Sequence, residues 1–328
     1  MTAVDRASAG TALSVEDRAA HAVQLAATAR DLYDNALAPS TLNGYRRRWT
    51  EFERWCTEVA GVPALPAAES TLIAFVAHLA ILERSPSTVD GYLAAVKWKH
   101  EDTGHGYAAG PALARVVLGH RRKKGSAPAR RAAGVRLEQL QRIVSVLDRD
   151  RPLDVRDRCM ILVGFVTGLR RSELVAVEVT HLELQPEGLT LFVPRGKADQ
   201  EGKGRSAVLP YGTNVETCPV TAYQRWMEVS GVTEGRVFRA IRKDGTVWGH
   251  GITPQVYAEV MRRRALAVGL PGNWSGHSTR RGFATTAARN GVPRHQIMRD
   301  GGWHGDAVDV YLEEGTQWEG RAAQHLGT

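Results

Sequence analysis

Five residues in the C-terminal half of the chain have side chains that suit one reaction. They are Arg170 in T-G-L-R-R-S-E-L, His277 and Arg280 in H-S-T-R, Trp303 in G-G-W-H, and Tyr311 in D-V-Y-L. A guanidinium group matches phosphate oxygens bidentately, and two of them can neutralise the charge that builds as a fifth oxygen bonds to phosphorus. A tyrosine hydroxyl, with an unperturbed pKa of about 10, needs that positive environment to attack as a phenolate. The set indicates cleavage of a phosphodiester by a tyrosine nucleophile without a metal ion.

Longer motifs place these residues in a known context. T-G-L-R-R-S-E-L is followed, in order, by W-S-G-H-S-T-R-R-G-F-A and I-M-R-D-G-G-W. With this combination the chain resembles the tyrosine site-specific recombinase (phage integrase) family, and its layout is similar to that of the Cre-like members. The resemblance covers residues 36–313 and is densest over 154–181 and 274–311. It implies an enzyme that cuts and rejoins two DNA duplexes through a 3′-phosphotyrosyl intermediate and a Holliday junction, without ATP, metal or any other cofactor.

The resemblance also implies a role for the polar residues of these motifs. Arg170 and Arg280 are expected to bind the scissile phosphate, and Glu173 is expected to support the structure around Arg170. His277 is expected to transfer a proton with the tyrosine, and Tyr311 to be the nucleophile. A surface i,i+3 ion pair would explain Arg170 and Glu173 more simply. The order of the motifs favours the catalytic interpretation.

A proton donor for the leaving group is the next requirement, and the resemblance implies a lysine in a β-hairpin. Lys197 lies in R-G-K-A-D-Q, directly after a predicted strand. Lys203 lies in the same polar segment and is the alternative. The position next to the strand favours Lys197, which would protonate the departing 5′ oxygen.

Trp303 stands where relatives carry His or Trp. Its indole N–H can donate to a phosphate oxygen, and its ring can pack against the nucleophile helix, but it cannot carry a proton. The spacing from Trp303 to Tyr311 is eight positions, one shorter than the Cre-like pattern. His304 is therefore a second candidate for part of this role.

The elements that must position these residues are mostly helices. P-S-T recurs at Pro39 and Pro86, which suits the first turn of a helix, and apolar residues three and four apart follow. Two strand-like pieces, L-T-L-F-V-P and S-A-V-L-P, flank residues 195–205 and predict a β-hairpin with a long basic tip. Other helices are predicted over residues 14–37, 111–118, 219–230, 253–268, 278–290, 294–300 and 306–314.

These elements predict a mainly α fold with two domains. The first is an N-terminal helical bundle, and the resemblance implies the SAM-like core-binding type. The second is a C-terminal α+β DNA breaking-rejoining catalytic domain with a small antiparallel sheet. The predicted boundaries are a flexible start and helix over 1–37, a helical core DNA-binding domain over 38–120, a basic linker over 121–136, a catalytic domain over 137–314, and a tail over 315–328.

Positive charge is concentrated where the two domains are predicted to join. The chain has 43 basic against 35 acidic residues, and no acidic residue lies between Asp102 and Glu138. Such a distribution favours a polyanionic partner, although a solvated helix face would explain any single charge equally well. The candidate DNA contacts are Arg46, Arg47, Lys97, Arg121, Arg122, Lys123, Lys124, Arg130 and Arg131.

The resemblance defines this partner as double-stranded DNA with an inverted-repeat target site. It also implies a homotetramer on DNA and a monomer or weak oligomer when the protein is free. In relatives with a tail of similar size, the tail docks as a helix into a neighbouring subunit. We expect the same of residues 315–328, with an undocked tail as the alternative.

Other functional classes find little support in the composition. Cys56, Cys159 and Cys218 are far apart and lack C-x-x-C spacing, which argues against a disulfide framework or a zinc site. No apolar run approaches the ~20 residues of a membrane span, and the N-terminus lacks the apolar core of a signal peptide. We therefore expect a cytoplasmic, nucleoid-associated prokaryotic protein that binds no membrane.

Two alternatives to recombination remain at this stage. A type IB topoisomerase-like enzyme would use a similar set of residues to nick and reseal DNA without pairing two sites. A protein on the same scaffold that binds DNA without cutting it would act as a repressor or an architectural factor. The complete set of residues argues against the second alternative, because degeneration of such a site usually removes the tyrosine or an arginine first.

Overall fold

The computed structural model describes residues 15–34, 36–125, 132–194 and 204–316. Lys197, Lys203, Arg130 and Arg131 lie outside these ranges, as do the N-terminal start before residue 15 and the tail from residue 317. The chain divides into two compact units, Met1–Ala129 and Arg130–Thr328. Helices dominate both, and small antiparallel sheets occur in the second, which confirms the predicted fold class.

Five helices make up the described part of the first unit. They are α1 (Val15–Asp34), α2 (Pro39–Trp55), α3 (Glu69–Ile81), α4 (Pro86–Asp102) and α5 (Pro111–Lys124), with a π-helical turn (Cys56–Ala60) directly after α2. Proline occupies the first turn of α2, α4 and α5, where its missing N–H would be unpaired in any case. Phe52, Leu72, Phe75 and Val89 are buried between the helices.

The apolar side chains of α1 are largely exposed, with Val23 at 71% and Leu32 at 66%. One helix boundary of this bundle differs from the sequence prediction. The last helix runs to Lys124, six residues past the predicted end at 118. Its final turn carries Arg121, Arg122, Lys123 and Lys124, and cations are favourable there because the carbonyl end of a helix is negative.

The second unit contains eight helices and five strands in its described ranges. Its helices are α6 (Leu137–Ser145), α7 (Pro152–Thr167), α8 (Arg171–Val175), α9 (Pro219–Ser230), α10 (Pro254–Ala267), α11 (Ser278–Arg289), α12 (Arg294–Gly301) and α13 (Asp309–Gly315). Its strands are β1 (Leu182–Gln185), β2 (Gly188–Val193), β3 (Arg205–Pro210), β4 (Arg239–Ile241) and β5 (Val247–Gly251). Short 3₁₀ turns lie at Val179–His181, Val215–Thr217 and Asp306–Val308.

Helix α7 is the centre of this unit, because nearly every residue from Asp154 to Thr167 is buried. The buried charge of Asp157 on this helix is paired inside the protein. Asp157 accepts hydrogen bonds from Arg156 on its own helix and from Arg263 and Arg264 on α10. The helix ends at Gly168, whose φ of 57° turns the chain toward α8. This turn presents Arg170.

The predicted hairpin is present as β2 and β3, which pair antiparallel with Leu191 opposite Ala207. Leu189, Leu191 and Leu209 point into the core. Strand β1 pairs with the other edge of β2, and β4 pairs with β5 in a second small sheet. These three strands were not predicted, because β1 and β5 are mostly exposed and β4 has only three residues. In the described ranges, no helix is long and apolar enough to cross a membrane.

Candidate active site

Arg170 is the residue before α8, and Glu173 in the first turn of that helix fixes its side chain. The backbone N–H of Arg170 donates to Glu173 Oε2 at 3.0 Å, and its Nη1 donates to Glu173 Oε1 at 2.6 Å. Only 5% of the Glu173 side chain and 21% of the Arg170 side chain are exposed. The pair is therefore no ordinary surface ion pair, and it orients the guanidinium group.

The guanidinium of Arg280, on α11, is almost completely enclosed by protein. Its Nη1 donates to the carbonyl oxygens of Gly168 and Gly301, the latter at 2.5 Å. Its Nη2 lies 3.4 Å from the carbonyl oxygen of Gly302, which also accepts from Arg170 Nη2 at 3.3 Å. The two arginines of the motifs thus converge on one short turn at the end of α12.

The ring of Trp303 packs against the guanidinium group of Arg280. The guanidinium carbon lies 3.6 Å from the ring centroid, in a cation–π contact. The other ring contacts of Trp303 are with Phe283, which stacks on it at 6.2 Å, and with Tyr311, whose ring meets it edge-on at 6.1 Å. Trp303 is buried, so it separates the guanidinium from the core and positions the tyrosine ring.

Burial shifts the pKa of the Arg280 guanidinium. Desolvation lowers the pKa of Arg280 to about 9, and the nearby charges of Arg170 and Arg205 act in the same direction, while Glu173 opposes them. Arg280 remains protonated at neutral pH. An anion placed beside these groups would relieve their mutual repulsion, so the site is suited to binding one.

Both glycines of the turn are required by close contacts. A Cβ on Gly301 would overlap the ring of Trp303. Gly302 has a φ of 64°, and its Cβ would lie 2.5 Å from Arg205 Nε. Any side chain here would displace either the tryptophan under Arg280 or the neighbouring arginine.

His277 and Tyr311 line the same cavity, which has a volume of about 330 Å³ and is completed by Ala132, Arg281, Ala307 and Val310. His277 directly precedes α11. Partial desolvation at the cavity wall lowers its pKa although the residue remains solvent-accessible, and the charges of Arg171, Arg280 and Arg170 lower it further. The imidazole is therefore neutral near pH 7 and is able to accept a proton.

The connection from Trp303 to Tyr311 is compact because a 3₁₀ turn, Asp306–Val308, precedes α13. The two aromatic rings remain in contact despite the short spacing. His304 is exposed and is not among the residues that line the cavity. The structure thus brings together Arg170, Glu173, Arg280, Trp303 and Tyr311, with His277 at the cavity wall. Lys197 and Lys203 stay predictions.

Arg205 was not predicted as a site residue, yet it is the third arginine here. It opens β3, donates from Nη1 to the carbonyl oxygen of Asp300 at 2.6 Å, and lies 3.9 Å from Glu173 Oε2 through Nη2. That nitrogen is buried without a hydrogen-bond partner in the described part of the chain. Burial lowers the pKa of Arg205. Arg205 therefore ties the hairpin strand to the turn that carries Gly301 and Gly302.

The candidate DNA contacts of the first unit fall into two groups. Arg121 pairs with Asp90 at 2.8 Å, Lys97 with Glu101 at 3.7 Å, and Lys124 with Glu83 at 3.9 Å. The other four are exposed and form no ion pair with a described residue: Arg46, Arg47, Arg122 and Lys123. The unpaired cations are the better candidates for phosphate contacts, because no internal partner has to be released.

Comparison with known proteins identifies relatives of this chain. Residues 135–313 match the model of the phage integrase family. An integrase/recombinase xerD homolog from Selenomonas ruminantium is 27% identical over 308 residues, which are 92% of this chain and 90% of the relative. Recombinase cre of Escherichia phage P1 is 28% identical over 170 residues, 47% of this chain and 48% of that protein. A lambda integrase tetramer bound to a Holliday junction has the same fold, with a TM-score of 0.59 at 13% identity over 98% of this chain and 82% of that one.

The tie made by Arg205 can be tested without reference to any activity. Arg205→Met removes a charged donor to the Asp300 carbonyl, and we expect amide hydrogen exchange over residues 300–303 to accelerate about tenfold or more, since such bonds contribute about 1.5–3 kcal/mol. Arg299→Met is the matched control, because Arg299 is exposed and, among the described residues, its side chain pairs with its neighbour Asp300. Equal exchange in the two variants would contradict the role given to Arg205.

Proposed function

The chain belongs to the phage integrase family, and on that premise we propose that it is a site-specific recombinase that cuts and rejoins two DNA duplexes. Tyr311 attacks the scissile phosphate, forms a 3′-phosphotyrosyl bond and releases a 5′ hydroxyl. The bond energy is kept in the protein–DNA linkage, so rejoining needs no ATP. Exchange of one strand pair and then the other passes through a Holliday junction.

The convergence of Arg170 and Arg280 on the Gly302 carbonyl, beside Tyr311, carries this proposal. Both guanidinium groups have N–H donors that these contacts do not use. The carboxylate of Glu173 is the nearby counter-charge. In the pentavalent transition state the equatorial oxygens gain negative charge. Fixed donors that meet this charge lower the barrier, and each such donor contributes about 10²–10³ in rate.

His277 supplies the base in this proposal. Its depressed pKa keeps the imidazole neutral, and it lines the cavity together with Tyr311. It takes the phenolic proton as the tyrosine attacks, and it returns that proton when the bond to Tyr311 is broken during rejoining. Trp303 does not transfer a proton and acts by holding Arg280 and the tyrosine ring.

Lys197 is proposed as the general acid that protonates the 5′ oxygen. It lies outside the described residues, within the segment that joins β2 to β3. Lys203 in the same segment is the alternative. The anchoring of the first residue of β3, Arg205, to the Asp300 carbonyl supports a general acid from this segment, either lysine being compatible with it, because Arg205 fixes the start of β3 next to the turn that Arg280 contacts.

The substrate is proposed to be double-stranded DNA with an inverted-repeat site, bound by four copies of the chain. The shared fold of the lambda integrase tetramer on a Holliday junction supports this assembly. The exposed cations Arg46, Arg47, Arg122 and Lys123, which form no ion pair with a described residue, support binding to DNA. Arg130 and Arg131 are proposed as further phosphate contacts, and the tail over residues 315–328 as a contact between subunits.

Trapping of covalent adducts tests the proposal. The protein is mixed with fragmented DNA of its native replicon and denatured with SDS, and the DNA held covalently by wild type but not by Tyr311→Phe is sequenced. We expect adducts clustered at one inverted-repeat site. Scattered adducts would instead indicate a topoisomerase-like nickase, and tight binding without adducts would indicate a protein that binds DNA without cutting it.

The lowered pKa of His277 predicts the pH dependence of adduct formation. A neutral imidazole is the active form, so activity is lost as pH falls through the depressed pKa, which lies below the usual 6.5. The apparent second-order rate constant at subsaturating DNA reports the groups of the free enzyme. We expect its acid limb to have a midpoint below pH 6.5 and to be absent in His277→Gln. A midpoint above 6.5, or an unchanged limb in the variant, would contradict this assignment.

A further inference from the structure

The residue next to Arg280 faces the helix that carries Tyr311. Arg281 donates from Nε to Glu314 Oε2 at 2.7 Å, and its Nη2 lies 2.6 Å from the same oxygen. Its Nη1 donates to the carbonyl oxygen of Ala132 at 2.7 Å. These contacts, which we call the Arg281 bridge, join three segments that are far apart in the sequence.

The Arg281 bridge lies beside the proposed nucleophile. Arg281 lines the cavity with His277 and Tyr311, and its guanidinium carbon is 5.8 Å from the centroid of the Tyr311 ring. Only 15% of its side chain is exposed, against 36% for Glu314. Partial burial excludes much of the water that would compete for these charged hydrogen bonds, so they are stronger than bonds on an open surface.

The end of helix α13 packs directly against α11. A Cβ on Gly315 would lie 2.6 Å from the Thr285 carbonyl oxygen and 2.9 Å from Ala288 Cβ. The backbones of the two helices therefore approach more closely than any other residue would allow. Helix α13 is short and follows a 3₁₀ turn. Asp309 in its first turn pairs with Arg294, and the ion pair with Arg281 at Glu314 acts on its last turn.

The third contact of the bridge lies on the segment that leads into the second unit. We call residues 132–135 the lead-in segment. Its backbone is held along the start of α11, where Ala133 N–H donates to the Asn273 carbonyl at 2.9 Å and Val135 N–H donates to the Ser278 carbonyl at 3.1 Å. A shift of this segment would act on the Ala132 carbonyl and hence on Arg281.

We propose that Arg281 is a positioning residue, which sets Tyr311 relative to the phosphate site and couples the position of its helix to the lead-in segment. This inference rests on the proposed function. Arg280 and Arg281 are neighbours on one helix and point about 100° apart. Arg280 holds the turn that borders the phosphate, while Arg281 holds the helix of the nucleophile. One helix thereby fixes both partners of the reaction.

Three variants separate the contacts of the bridge. Arg281→Met removes all of them, Glu314→Gln keeps the shape but removes the carboxylate charge, and Arg281→Lys keeps one cation without the fork that reaches both acceptors. Arg225→Met is the matched control, because Arg225 also pairs with carboxylates and donates to a carbonyl, that of Arg149, on an exposed face. Each variant is compared with wild type and Tyr311→Phe on the DNA site recovered from the adducts.

The measurements are DNA affinity, thermal melting, and the single-turnover rate of adduct formation at saturating DNA. We expect Arg281→Met to slow adduct formation about a hundredfold, because an error of about 1 Å in the placement of a reacting group costs that much, with DNA affinity unchanged. Arg281→Lys and Glu314→Gln should be intermediate, and Arg225→Met should equal wild type. The double variant Arg281→Met/Glu314→Gln should be no slower than Arg281→Met, since both act through one contact.

Contrary results distinguish this inference from the proposed function. If wild type forms adducts at its site and Arg281→Met forms them at the same rate, the positioning role is wrong and the function stands. The positioning role is also wrong if the rate losses of the two single substitutions multiply in the double variant. It is wrong as well if the rate loss in Arg281→Met is matched by an equal loss of DNA affinity. If Arg281→Met does not fold, wild-type rates in both Arg281→Lys and Glu314→Gln would overturn it. Absence of adducts in wild type would instead refute the function.

Discussion

The enclosure of the Arg280 guanidinium is the constraint on which the rest of the second unit depends. A buried cation next to two other arginines is unfavourable unless its donors are satisfied and its charge is balanced. Carbonyl oxygens of Gly168 and Gly301, the face of Trp303 and the nearby carboxylate of Glu173 meet part of that requirement. The positive charge that these groups leave unbalanced favours the binding of an anion.

Each neighbouring element has a feature that follows from this enclosure. The turn at the end of α12 consists of glycines, because Trp303 and Arg205 occupy the space that side chains at Gly301 and Gly302 would need. Helix α7 is buried almost to its end at Gly168, whose carbonyl oxygen accepts a hydrogen bond from Arg280. Strand β3 begins with an arginine that anchors to Asp300. With fewer hydrogen bonds to these carbonyl oxygens, the Arg280 guanidinium would be free to move. Electrostatic catalysis requires donors whose positions are fixed.

The parts of this arrangement that are local in sequence could be predicted. The helix boundaries at Pro219 and Ser278 and the pairing of β2 with β3 follow from motifs of a few residues. The grouping of Arg170, Arg280, Trp303 and Tyr311 was expected only from the family resemblance, because no short motif brings together positions this far apart. The contacts of Arg205 and Arg281 could not be predicted, because they span 95 and 149 positions to Asp300 and Ala132. Helix α5 was predicted too short, since a run of cations resembles a linker in composition while it suits the C-terminal turn of a helix.

Neutralisation of phosphate charge by Arg170 and Arg280 is the central claim, and a neutral linkage at the cleaved position tests it most directly. A methylphosphonate there removes the negative charge while leaving the phosphorus open to attack by Tyr311. On the natural phosphate, Arg280→Ala is expected to slow adduct formation by about 10²–10³ relative to wild type. On the methylphosphonate the same substitution should cost less than about tenfold, since little charge remains for the guanidinium to stabilise. An equal loss on both linkages would contradict the account and would leave Arg280 with a purely structural role.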